Sequence, residues 1–586
     1  MRQWMVAAKK ADFQAIAKKF HVDPVVARII RNREVIGEEN IRVYLSGALS
    51  DLSDPHQMKD MDQLVEILAQ KIRRQEHIRI IGDYDVDGVT SSHLFLTALR
   101  RVGAKVDVVI PHRIQDGYGL SLHLLQQAKA DGVDTILTCD NGIAAIDEIA
   151  WAKAKGMTVL VTDHHAVPFE EQEGRRTEKK SLADAVVNPH QQACEYPYKE
   201  LCGAGVAWNV IRVLYENYDM DPKEAEDLLD FVAMGTVCDV MALTGENRIL
   251  VKEGLKRIRH TKNTGLQALM RACNVLPENV SAYHFGYVLG PCINATGRLE
   301  TAKHALRLFE TTEEREAEEI ARDLVDLNQE RKEMTLQGVE MAKKLCEEGE
   351  YENDPVLVLF LPDVHESIAG LIAGRIREMY NRPVFVLTRG EEGVKGSGRS
   401  TENYSMYENM CSCAELFTKF GGHPMAAGLS LPEENVEKFR RKINDNCPLT
   451  VEEVCPDIHI DMAMPVGYAS TELVHQFALL EPFGKDNPSP LFADRNLSIS
   501  RMWVIGKNRN VLRMSVLSEY GQPVPVIFFG DLEAFFAYFT EKFGQEEVEN
   551  ALHGRKNRIL FSMVYTAKID FYQGNENLQL EMKYYR

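Results

Sequence analysis

The sequence lacks the features of a membrane, secreted or metal-ribbon protein. Its N-terminus reaches Lys9, Lys10 and Asp12 without the apolar stretch of a secretory signal. No apolar run approaches the roughly 20 residues that a membrane-spanning helix needs. The eleven cysteines form no CxxC pair, the nearest two being Cys411 and Cys413, which favours reduced thiols over a disulfide scaffold or zinc ribbon. We therefore expect a soluble, cytoplasmic protein.

The sequence also lacks an excess of basic charge. It has 68 Lys and Arg against 87 Asp and Glu, so the formal net charge is −19, which excludes a histone-like binder. An anionic substrate is not excluded, because binding follows the local field and metal ions can reverse its sign. The composition, 45% hydrophobic and 26% charged, is typical of globular proteins. At about 150 residues per domain, the length of 586 residues predicts three or four packed units.

The first half of the chain has the periodicity of an α/β protein. Residues 60–240 alternate short apolar runs with helical stretches, a pattern typical of a mostly parallel sheet. Open sheets of this kind bind ligands at the carboxyl ends of their strands. The runs that predict buried strands are residues 78–81, 106–110, 135–137, 159–161 and 185–187.

The second half changes character twice. Residues 301–348 are rich in Glu, Arg, Leu and Ala and predict one or two long charged helices. A second α/β pattern follows, with strands at 356–360 and near 384–387 around a helix at 368–380. The last ~130 residues predict a small all-β barrel of the OB-fold type. Its predicted strands are residues 497–504, 511–517, 524–529 and 559–566.

Three carboxylates follow the first predicted strand, in the segment Gly82-Asp83-Tyr84-Asp85-Val86-Asp87-Gly88. Alternation points them to the same side, where like charges repel unless a cation lies among them. The DxDxDG string also occurs in calcium-binding EF-hand loops, but their twelfth position is Glu, and here it is Leu94. A solvated acidic turn is the plain alternative to the catalytic metal site that this segment favours.

Later strand ends carry similar groups. Asp140 follows the third predicted strand, and Asp163-His164-His165 follows the fourth. Asp239, at the end of an apolar helix, is a further candidate. A single such residue is usually structural, but here successive strands deliver Asp or His to one edge. Imidazole with several carboxylates suits Mn²⁺ or Zn²⁺, and Asp-rich sites lean towards Mn²⁺ or Mg²⁺.

These motifs resemble, in order and spacing, the RecJ branch of the DHH phosphoesterase superfamily, which is named after the Asp-His-His motif. The resemblance covers roughly residues 40–586. It implies an α/β protein with two α/β lobes, a mostly parallel DHH core and a DHHA1 domain, joined by a long helix and followed by an all-β OB-fold. The further motifs that carry it are Ile110-Pro111-His112-Arg113 with Gly117-Tyr118-Gly119, and the segments 293–300, 396–400, 421–428 and 481–488.

The resemblance also implies limits for the domains. They are an N-terminal helical segment (1–60), a DHH catalytic domain (61–265), connecting helices (266–349), a DHHA1 domain (350–448) and an OB-fold DNA-binding domain (449–586).

The resemblance implies a site for two divalent ions, Mn²⁺ or Mg²⁺. Asp85 and Asp87 would hold one ion each, Asp140 would bridge both, and His164 and Asp239 would complete the second site. These residues would be catalytic through the ions, which activate water as the nucleophile.

Three neighbouring positions refine this assignment. Asp83 would be an outer metal ligand or a group just behind the ligands. His165 would face the phosphate and would be catalytic as a donor to the scissile phosphate or the leaving oxygen. Some relatives carry a His four residues before the first Asp of the DxD pair, where this chain has Ile81. The first metal site is therefore expected to have fewer protein ligands.

Residues outside the metal site are expected to select the substrate. Ser397 and Arg399, in a glycine-rich segment, suit a terminal phosphate, although a plain glycine turn is the alternative. Arg298 and Arg375 offer charge-assisted contacts or ordinary surface ion pairs. By resemblance, Arg298, Ser397 and Arg399 bind the 5′-phosphate end of DNA, and His423 lines the cleft between the lobes. The predicted nucleic-acid-binding residues are Arg113, Tyr118, Arg298, Arg375, Ser397, Arg399 and His423.

The barrel supplies a second candidate surface for single strands, through stacking and backbone contacts. Most aromatic residues in such a domain are nevertheless core residues. The candidates are Trp503, Lys507, Arg509, Arg513 and Phe528.

We predict a single-stranded-DNA-specific 5′→3′ exonuclease of recombination and repair, which releases 5′-mononucleotides. One alternative is a DHH phosphodiesterase for short oligonucleotides or cyclic dinucleotides, against which the length argues. Another is a non-catalytic replication scaffold, against which the complete set of carboxylates and histidines argues. Single-stranded DNA is the expected partner, with a helicase and a single-strand-binding protein as further partners. Since no coiled-coil heptad run is long, we expect a monomer.

Overall fold

The computed structural model describes residues 3–113, 116, 119–172, 175–299, 301–349, 351–390, 393–506, 508–572 and 574–586. The chain divides into two compact units. Unit 1 comprises Leu52–Met241 and Ile249–Pro456, and unit 2 comprises Gln3–Asp51, Ala242–Arg248 and Asp457–Arg586. Among the residues so described, no helix is both long and apolar enough to cross a membrane.

The strands are numbered in chain order. They are β1 (Trp4–Val6), β2 (Ile78–Ile81), β3 (Val106–Val109), β4 (Thr135–Cys139), β5 (Thr158–Thr162), β6 (Phe169–Gln172), β7 (Arg175–Glu178), β8 (Ala185–Val187), β9 (Leu357–Phe360), β10 (Val384–Gly390), β11 (Gly393–Arg399), β12 (Lys419–Gly422), β13 (Ala426–Leu431), β14 (Ile458–Ile460), β15 (Met462–Ala463), β16 (Phe492–Ile505), β17 (Val511–Leu517), β18 (Pro523–Phe528), β19 (Leu560–Tyr572) and β20 (Asn575–Tyr585).

The α-helices are numbered in the same way. They are α1 (Phe13–Phe20), α2 (Pro24–Asn32), α3 (Glu38–Ser46), α4 (Met61–Arg73), α5 (Val86–Arg101), α6 (Leu122–Ala130), α7 (Ile146–Ala154), α8 (Gly203–Asn217), α9 (Lys223–Glu226), α10 (Leu229–Cys238), α11 (Gly245–Ile258), α12 (Thr264–Ala272), α13 (Ala282–His284), α14 (Gly290–Leu299), α15 (Lys303–Glu310), α16 (Glu314–Glu348), α17 (Ala369–Tyr380), α18 (Met406–Cys411), α19 (Val436–Asp445), α20 (Thr471–Phe477), α21 (Leu532–Phe543) and α22 (Gln545–Leu552).

Unit 1 begins with a parallel sheet in the order β3-β2-β4-β5-β8. All five apolar runs predicted as strands form it, which confirms that part of the prediction. Its strands are near-continuous apolar runs because helices cover both faces of such a sheet. The carboxyl ends of β2, β4 and β5 therefore lie side by side at one edge, as expected.

A second sheet lies further along unit 1, in the order β12-β13-β11-β10-β9. Only β9 and β10 are parallel, and the other neighbours are antiparallel. Helix α17 packs on this sheet and on α16, the 35-residue helix that confirms the predicted long charged helix. The result is the expected second α/β lobe.

The sheet of unit 2 runs in the order β15-β16-β17-β18-β20-β19, and pairing of β16 with β19 closes it. The four predicted runs correspond to β16–β19, whereas β20 was not predicted. The unit is not all-β, because α21 and α22 lie between β18 and β19. Phe535 and Phe539 of α21 are fully buried in its core. The C-terminal region is thus a β-barrel that carries helices.

The N-terminal helices belong to the same unit as this barrel. Val26, Ile29 and Ile30 of α2 are buried in the core that contains the barrel residues. Arg33 donates to both carboxylate oxygens of Asp461, at 2.9 and 3.2 Å, and β1 pairs in parallel with β14. The predicted domain limits treat the two chain ends as separate segments; those limits stay a prediction, although the ends share one core.

Candidate metal centre and arginine cavity

The first carboxylates of the site are held at the start of α5. Asp85 is the N-cap residue of α5 and accepts a hydrogen bond from the Gly88 backbone N–H at 3.0 Å. Asp87, in the first turn, accepts from the backbone N–H groups of Gly203 and Ala204 at 2.6 and 2.9 Å. Because these groups are the N-terminus of α8, they favour a negative charge at Asp87. Two helix starts therefore fix both side chains.

Asp140 lies directly after β4 in a left-handed conformation with φ of 60°. A Cβ atom at Gly203 would lie 2.6 Å from the Cβ of Asp140, so the close approach of α8 requires glycine there. Neither this glycine nor this helix start was singled out in the sequence. The signal for it was Gly203-Ala204-Gly205 at the start of an apolar helix.

His164 brings the carboxylates of three elements together. Its Nε2 atom lies 3.0 Å from Oδ1 of Asp140, 3.8 Å from Oδ2 of Asp87 and 3.6 Å from Oδ2 of Asp239. The predicted ligands thus converge on the predicted sheet edge. Three groups, each with its ligand atoms within 4.8 Å of one another, have the geometry to hold a cation: Asp83, Asp85 and Asp140; Asp87, His164 and Asp239; and Asp140, His164 and His165.

The donor set fits a divalent cation. Within the described part of the chain, Asp83 Oδ1, Asp140 Oδ1 and His164 Nε2 are buried atoms that make no hydrogen bond. Buried polar atoms normally have partners, and leaving one unpaired costs about 1–3 kcal/mol. Carboxylate oxygens with one or two imidazoles are the ligands that Mn²⁺ accepts, and the oxygens suit Mg²⁺.

The electrostatics of the cluster also favour a cation. Burial raises the pKa of Asp140 well above its usual value, and the charges of Asp87 and Asp85 raise it further. Burial and the charge of Asp85 likewise raise the pKa of Asp83, and burial with the charge of Asp87 raises that of Asp85. Without a cation, these carboxylates oppose one another's ionisation.

Asp163 positions the histidines. It accepts hydrogen bonds from the backbone N–H groups of Ile143 (2.9 Å) and His164 (2.7 Å), and it lies 2.8 Å from Nδ1 of His165. Burial alone would raise its pKa, but the hydrogen bond and charge of His165 hold that pKa below its usual value. Asp163 is part of the Asp-His-His motif, but the motif alone predicted no role for it.

His165 responds in the opposite sense. Burial alone would lower its pKa, but the hydrogen bond to Asp163 and the charges of Asp163 and Asp239 raise it to about 9. Its side chain is 39% exposed, whereas that of His164 is 8% exposed. His165 is therefore a cationic donor at the open side of the cluster when no metal ion is bound.

Asp239 is held by a strained turn. It is the C-cap residue of α10, and the next residue, Val240, has φ of 57°. A β-branched residue in this left-handed conformation is unusual and costs about 1–2 kcal/mol. Val240 is also 63% exposed, so core packing does not explain the strain. Strain of this kind clusters at functional sites.

A cavity of about 850 Å³ in unit 1 gathers arginine side chains. Arg298 Nη1 donates to the Ser367 carbonyl oxygen at 2.6 Å, and Arg399 Nη1 donates to the Gly398 carbonyl oxygen at 2.7 Å. Arg399 also donates to Ser397 Oγ at 3.3 Å. The cavity is lined, among others, by Tyr84, Arg113, Arg298, Gly370, Ser397 and Arg399.

The charges of this cavity are not balanced. Burial, together with the charges of Arg113, Arg331 and Arg399, lowers the pKa of Arg298 to about 10. Burial and the charge of Arg113 also lower the pKa of Arg399. Glu366 lines the cavity but pairs with Lys395 at 2.8 Å. An anion would relieve the mutual repulsion of the arginines.

The other predicted binding residues of unit 1 lie differently. Arg375 is 67% exposed on α17 and lies 3.6 Å from Glu378, and it is not among the described residues that line the cavity. His423 is exposed in the turn after β12, next to the lining residue Gly422. Arg113 lies over the ring of Tyr84 at 5.1 Å. Tyr118 falls outside the described residues.

In unit 2, Trp503 is half-buried, and the guanidinium carbons of Arg501 and Arg513 lie 5.6 and 5.9 Å from the centre of its ring. Phe528 is only 6% exposed and belongs to the barrel core, so its structural interpretation is the correct one. Arg509 is exposed, and Lys507 lies outside the described residues. The outward Arg-Trp-Arg group is therefore the barrel's best candidate for strand contacts.

Comparison with known proteins gives three domain matches. Residues 77–236 match the DHH family, N-terminal domain; residues 353–447 match the DHHA1 domain; and residues 460–584 match the RecJ OB domain.

Whole-chain relatives agree with these matches. The chain is 32% identical over 584 residues to the single-stranded-DNA-specific exonuclease RecJ of Haemophilus influenzae, covering 96% of each chain. It is 33% identical over 525 residues to the protein of that name from Bacillus subtilis, covering 89% of this chain. The chain spans 65% of the length of this B. subtilis relative.

Solved structures show the same architecture. The crystal structure of RecJ from Thermus thermophilus in complex with Mn²⁺ superposes with a TM-score of 0.81 at 25% identity, covering 100% of this chain and 79% of that chain. A structure of the same protein in complex with Mg²⁺ gives a TM-score of 0.75 at 25% identity, covering 100% of this chain and 78% of that chain.

Proposed function

Because this chain belongs to the RecJ family, we propose that it is a metal-dependent exonuclease that hydrolyses single-stranded DNA from the 5′ end and acts in recombination and repair. One observation carries the proposal. Tyr84 lines the arginine cavity, and its two neighbours in the chain, Asp83 and Asp85, belong to the metal centre. A terminal phosphate in the cavity would therefore lie within reach of the carboxylate cluster.

We propose that two ions, Mn²⁺ or Mg²⁺, occupy the carboxylate cluster. Asp83, Asp85 and Asp140 would hold one ion, and Asp87, His164 and Asp239 the other, with Asp140 shared. Bound ions supply Lewis acidity and an activated water for phosphodiester hydrolysis. The buried atoms of Asp83, Asp140 and His164 that make no hydrogen bond support this assignment.

Two further residues of the centre, Asp163 and His165, would act on the phosphate of the substrate. Asp163 fixes the ring of His165 through Nδ1, and the other ring nitrogen would donate to a phosphate oxygen. A hydrogen-bond donor at this position suits the role because the phosphate oxygens of the substrate are anionic acceptors. Asp163 is thus a positioning residue, and His165 the donor.

The arginine cavity would set the 5′→3′ direction of digestion. Arg298, Ser397 and Arg399 would bind the terminal 5′-phosphate, since guanidinium and hydroxyl groups form charge-assisted bonds to phosphate. Each round would release one 5′-mononucleotide. The barrel of unit 2 would bind the strand further along. We further propose a monomeric, cytoplasmic protein with the predicted domain limits, which works with a helicase and a single-strand-binding protein.

The test is the digestion of one long single strand, labelled at its 5′ or its 3′ end, with Mn²⁺. We expect immediate release of the 5′ label as a mononucleotide, while the 3′ label stays on progressively shorter strands. A blunt duplex should remain intact. Cleavage of a dinucleotide alone would contradict the proposal and indicate a phosphodiesterase for small substrates.

A further inference from the structure

An exposed pair of tyrosines lies on the surface of unit 1. The rings of Tyr283 and Tyr287 stack with their centroids 5.1 Å apart and an angle of 25° between their planes. Tyr283 is 63% exposed and Tyr287 is 71% exposed. Single apolar groups on a surface need no explanation, but two stacked rings that leave most of their area in water are uncommon.

The backbone of the segment that carries the tyrosine pair packs against the residues that precede Asp239, a predicted metal ligand. A Cβ at Gly286 would lie 3.6 Å from Cγ1 of Val237, and a Cβ at Gly290 would lie 2.5 Å from Sγ of Cys238. Cys238 Sγ also donates to the Phe285 carbonyl oxygen at 3.3 Å. Val237 and Cys238 directly precede Asp239. The segment under the tyrosines therefore packs on the turn that presents a predicted metal ligand.

This segment has an unusual backbone. Residues Phe285–Leu289 form a π-helix, which leads straight into α14. Single π-turns within helices are rare overall, and those that occur are often found at functional sites. Here the π-turn presents Tyr287 and the preceding helix α13 presents Tyr283 on the exposed side, while Phe285 and Leu289 are fully buried. The segment thus has a fixed inner face and an aromatic outer face.

Helix α14 joins the tyrosine pair to the arginine cavity. It begins at Gly290 and carries Arg298, which lines the cavity, in its last turn. At 1.5 Å per residue, Tyr287 and Arg298 are about 16 Å apart along the helix axis. At a rise of about 3.4 Å per nucleotide, this corresponds to roughly five stacked nucleotides, or fewer in an extended strand.

We propose that Tyr283 and Tyr287 form a stacking platform for a base of the single strand, within about the first five nucleotides from the 5′ end. This inference rests on the proposed function. A tyrosine ring stacks on any base, so the platform would hold the strand without selecting sequence. The exposed side chain of Val240, next to Asp239, adds apolar surface in the same region. The platform would guide the strand past the metal edge.

The test measures base stacking without hydrolysis. The full-length protein, kept in chelator, is titrated into single strands that carry fluorescent 2-aminopurine at successive positions from the 5′ end. We expect quenching at one or two of the first five or so positions. The single variant Tyr287→Ala and the double variant Tyr283→Ala/Tyr287→Ala should each abolish this quenching. Each should also weaken the affinity for the strand by about tenfold, which is within the range for one stacked base. Tyr287→Phe should retain both.

Two controls separate stacking from general surface effects. Leu276→Ala removes an exposed apolar side chain, 58% exposed, that has no ring, and should leave the quenching unchanged. Tyr287→Leu keeps an apolar side chain without the ring and should behave like Tyr287→Ala. Quenching by the alanine and leucine variants equal to that of the wild type would overturn the platform. Loss of thermal stability in all tyrosine variants, including Tyr287→Phe, would also overturn it, because the pair would then be structural.

The proposed function is tested separately on the unaltered protein. If the wild type with Mn²⁺ fails to shorten a single strand, the exonuclease proposal fails, whereas quenching in chelator still reports the platform. If the wild type digests the strand and all variants quench equally, only the platform fails.

Discussion

The carboxylate cluster and the arginine cavity carry opposite charges, but burial and like-charge repulsion act in the same way in both. Each gathers buried side chains of one charge, and burial with mutual repulsion raises the pKa of Asp140 in one and lowers that of Arg298 in the other. Neither arrangement stabilises the folded chain by itself. Each becomes favourable when a ligand of opposite charge binds. The comparison shows that these residues are placed for ligands, not for stability.

Unit 2 offers the contrasting case. Arg33 and Asp461 are 10% and 6% exposed, yet they pair with one another in a bidentate contact, so the buried charges cancel. Removing one partner of such a pair is strongly destabilising. A buried charge with its partner indicates a structural role, whereas a buried charge among like charges indicates a binding site for a ligand of opposite charge.

The largest expected effect comes from breaking the carboxylate cluster. Asp140→Ala removes the carboxylate proposed to be shared by the two metal ions and should lower the hydrolysis rate by at least about a thousandfold, since metal activation is worth several kcal/mol. Affinity for single-stranded DNA should change little. The matched control is Asp230→Asn, a buried carboxylate of α10 that bonds Thr261, which should remain active. Hydrolysis by Asp140→Ala would refute the metal assignment.

The next effect comes from the opposite cluster. Arg399→Ala should raise KM for a 5′-phosphorylated strand by about 10- to 100-fold, because hydrogen bonds to charged groups contribute about 1.5–3 kcal/mol. A strand with a 5′-hydroxyl should be affected much less. The control is Arg441→Ala, which removes a 75% exposed arginine on α19 of the same lobe and should leave KM unchanged. Equal losses for both strand types would remove the terminal phosphate from the cavity.

A smaller effect is expected at the link between the histidines. Asp163→Asn keeps the shape of the side chain but removes the charge that raises the pKa of His165 to about 9. We expect kcat to fall by about tenfold with KM nearly unchanged, less than the roughly 10²–10⁴-fold that a proton donor contributes, because His165 itself is retained. NMR titration of the metal-free protein should show a lower pKa for His165. An unchanged imidazole pKa would contradict the positioning role.

The smallest effect concerns stability against pH in chelator. Asp140 has a raised pKa in the folded state, so its burial costs stability as pH rises above the unfolded value near 3.8, and Asp140→Asn should stabilise the metal-free protein at neutral pH by on the order of 1–3 kcal/mol. Asp163 has a lowered pKa, so its contribution is present at neutral pH and lost in acid. Asp163→Asn should therefore destabilise. Urea denaturation at acidic and at neutral pH measures both signs, and equal signs would contradict the electrostatic account.

The sequence predicted the parts of the fold whose signal is local. Buried parallel strands such as β2 are continuous apolar runs, and their ends carry the acidic residues that the structure brings together. Strand β20 was missed because it alternates polar residues and is rich in Asn, Glu and Gln, and its pairing with β19 and β18 is a long-range property. Helix α21 was missed because its run of Phe and Tyr has the composition of a strand.

The same distinction holds in the site. Side-chain donors such as Asp87 and His164 are visible as residue types at strand and helix ends. Asp87 is held by the backbone N–H groups of Gly203 and Ala204. Almost every residue type has such a group, so the sequence does not show which ones will bind a side chain. The hydrogen bonds of Asp163 likewise depend on a loop conformation that no motif spacing specifies.

The shared core of the two chain ends has a consequence for the timing of synthesis. Helix α2 buries Val26, Ile29 and Ile30 against barrel residues that follow Asp457, about 400 residues later. At about 5–20 residues per second, the ribosome needs roughly 20–80 s to supply them. During that interval the apolar face of α2 lacks its native packing partners and is exposed to water. The earliest residues made are thus among the last to reach their native neighbours.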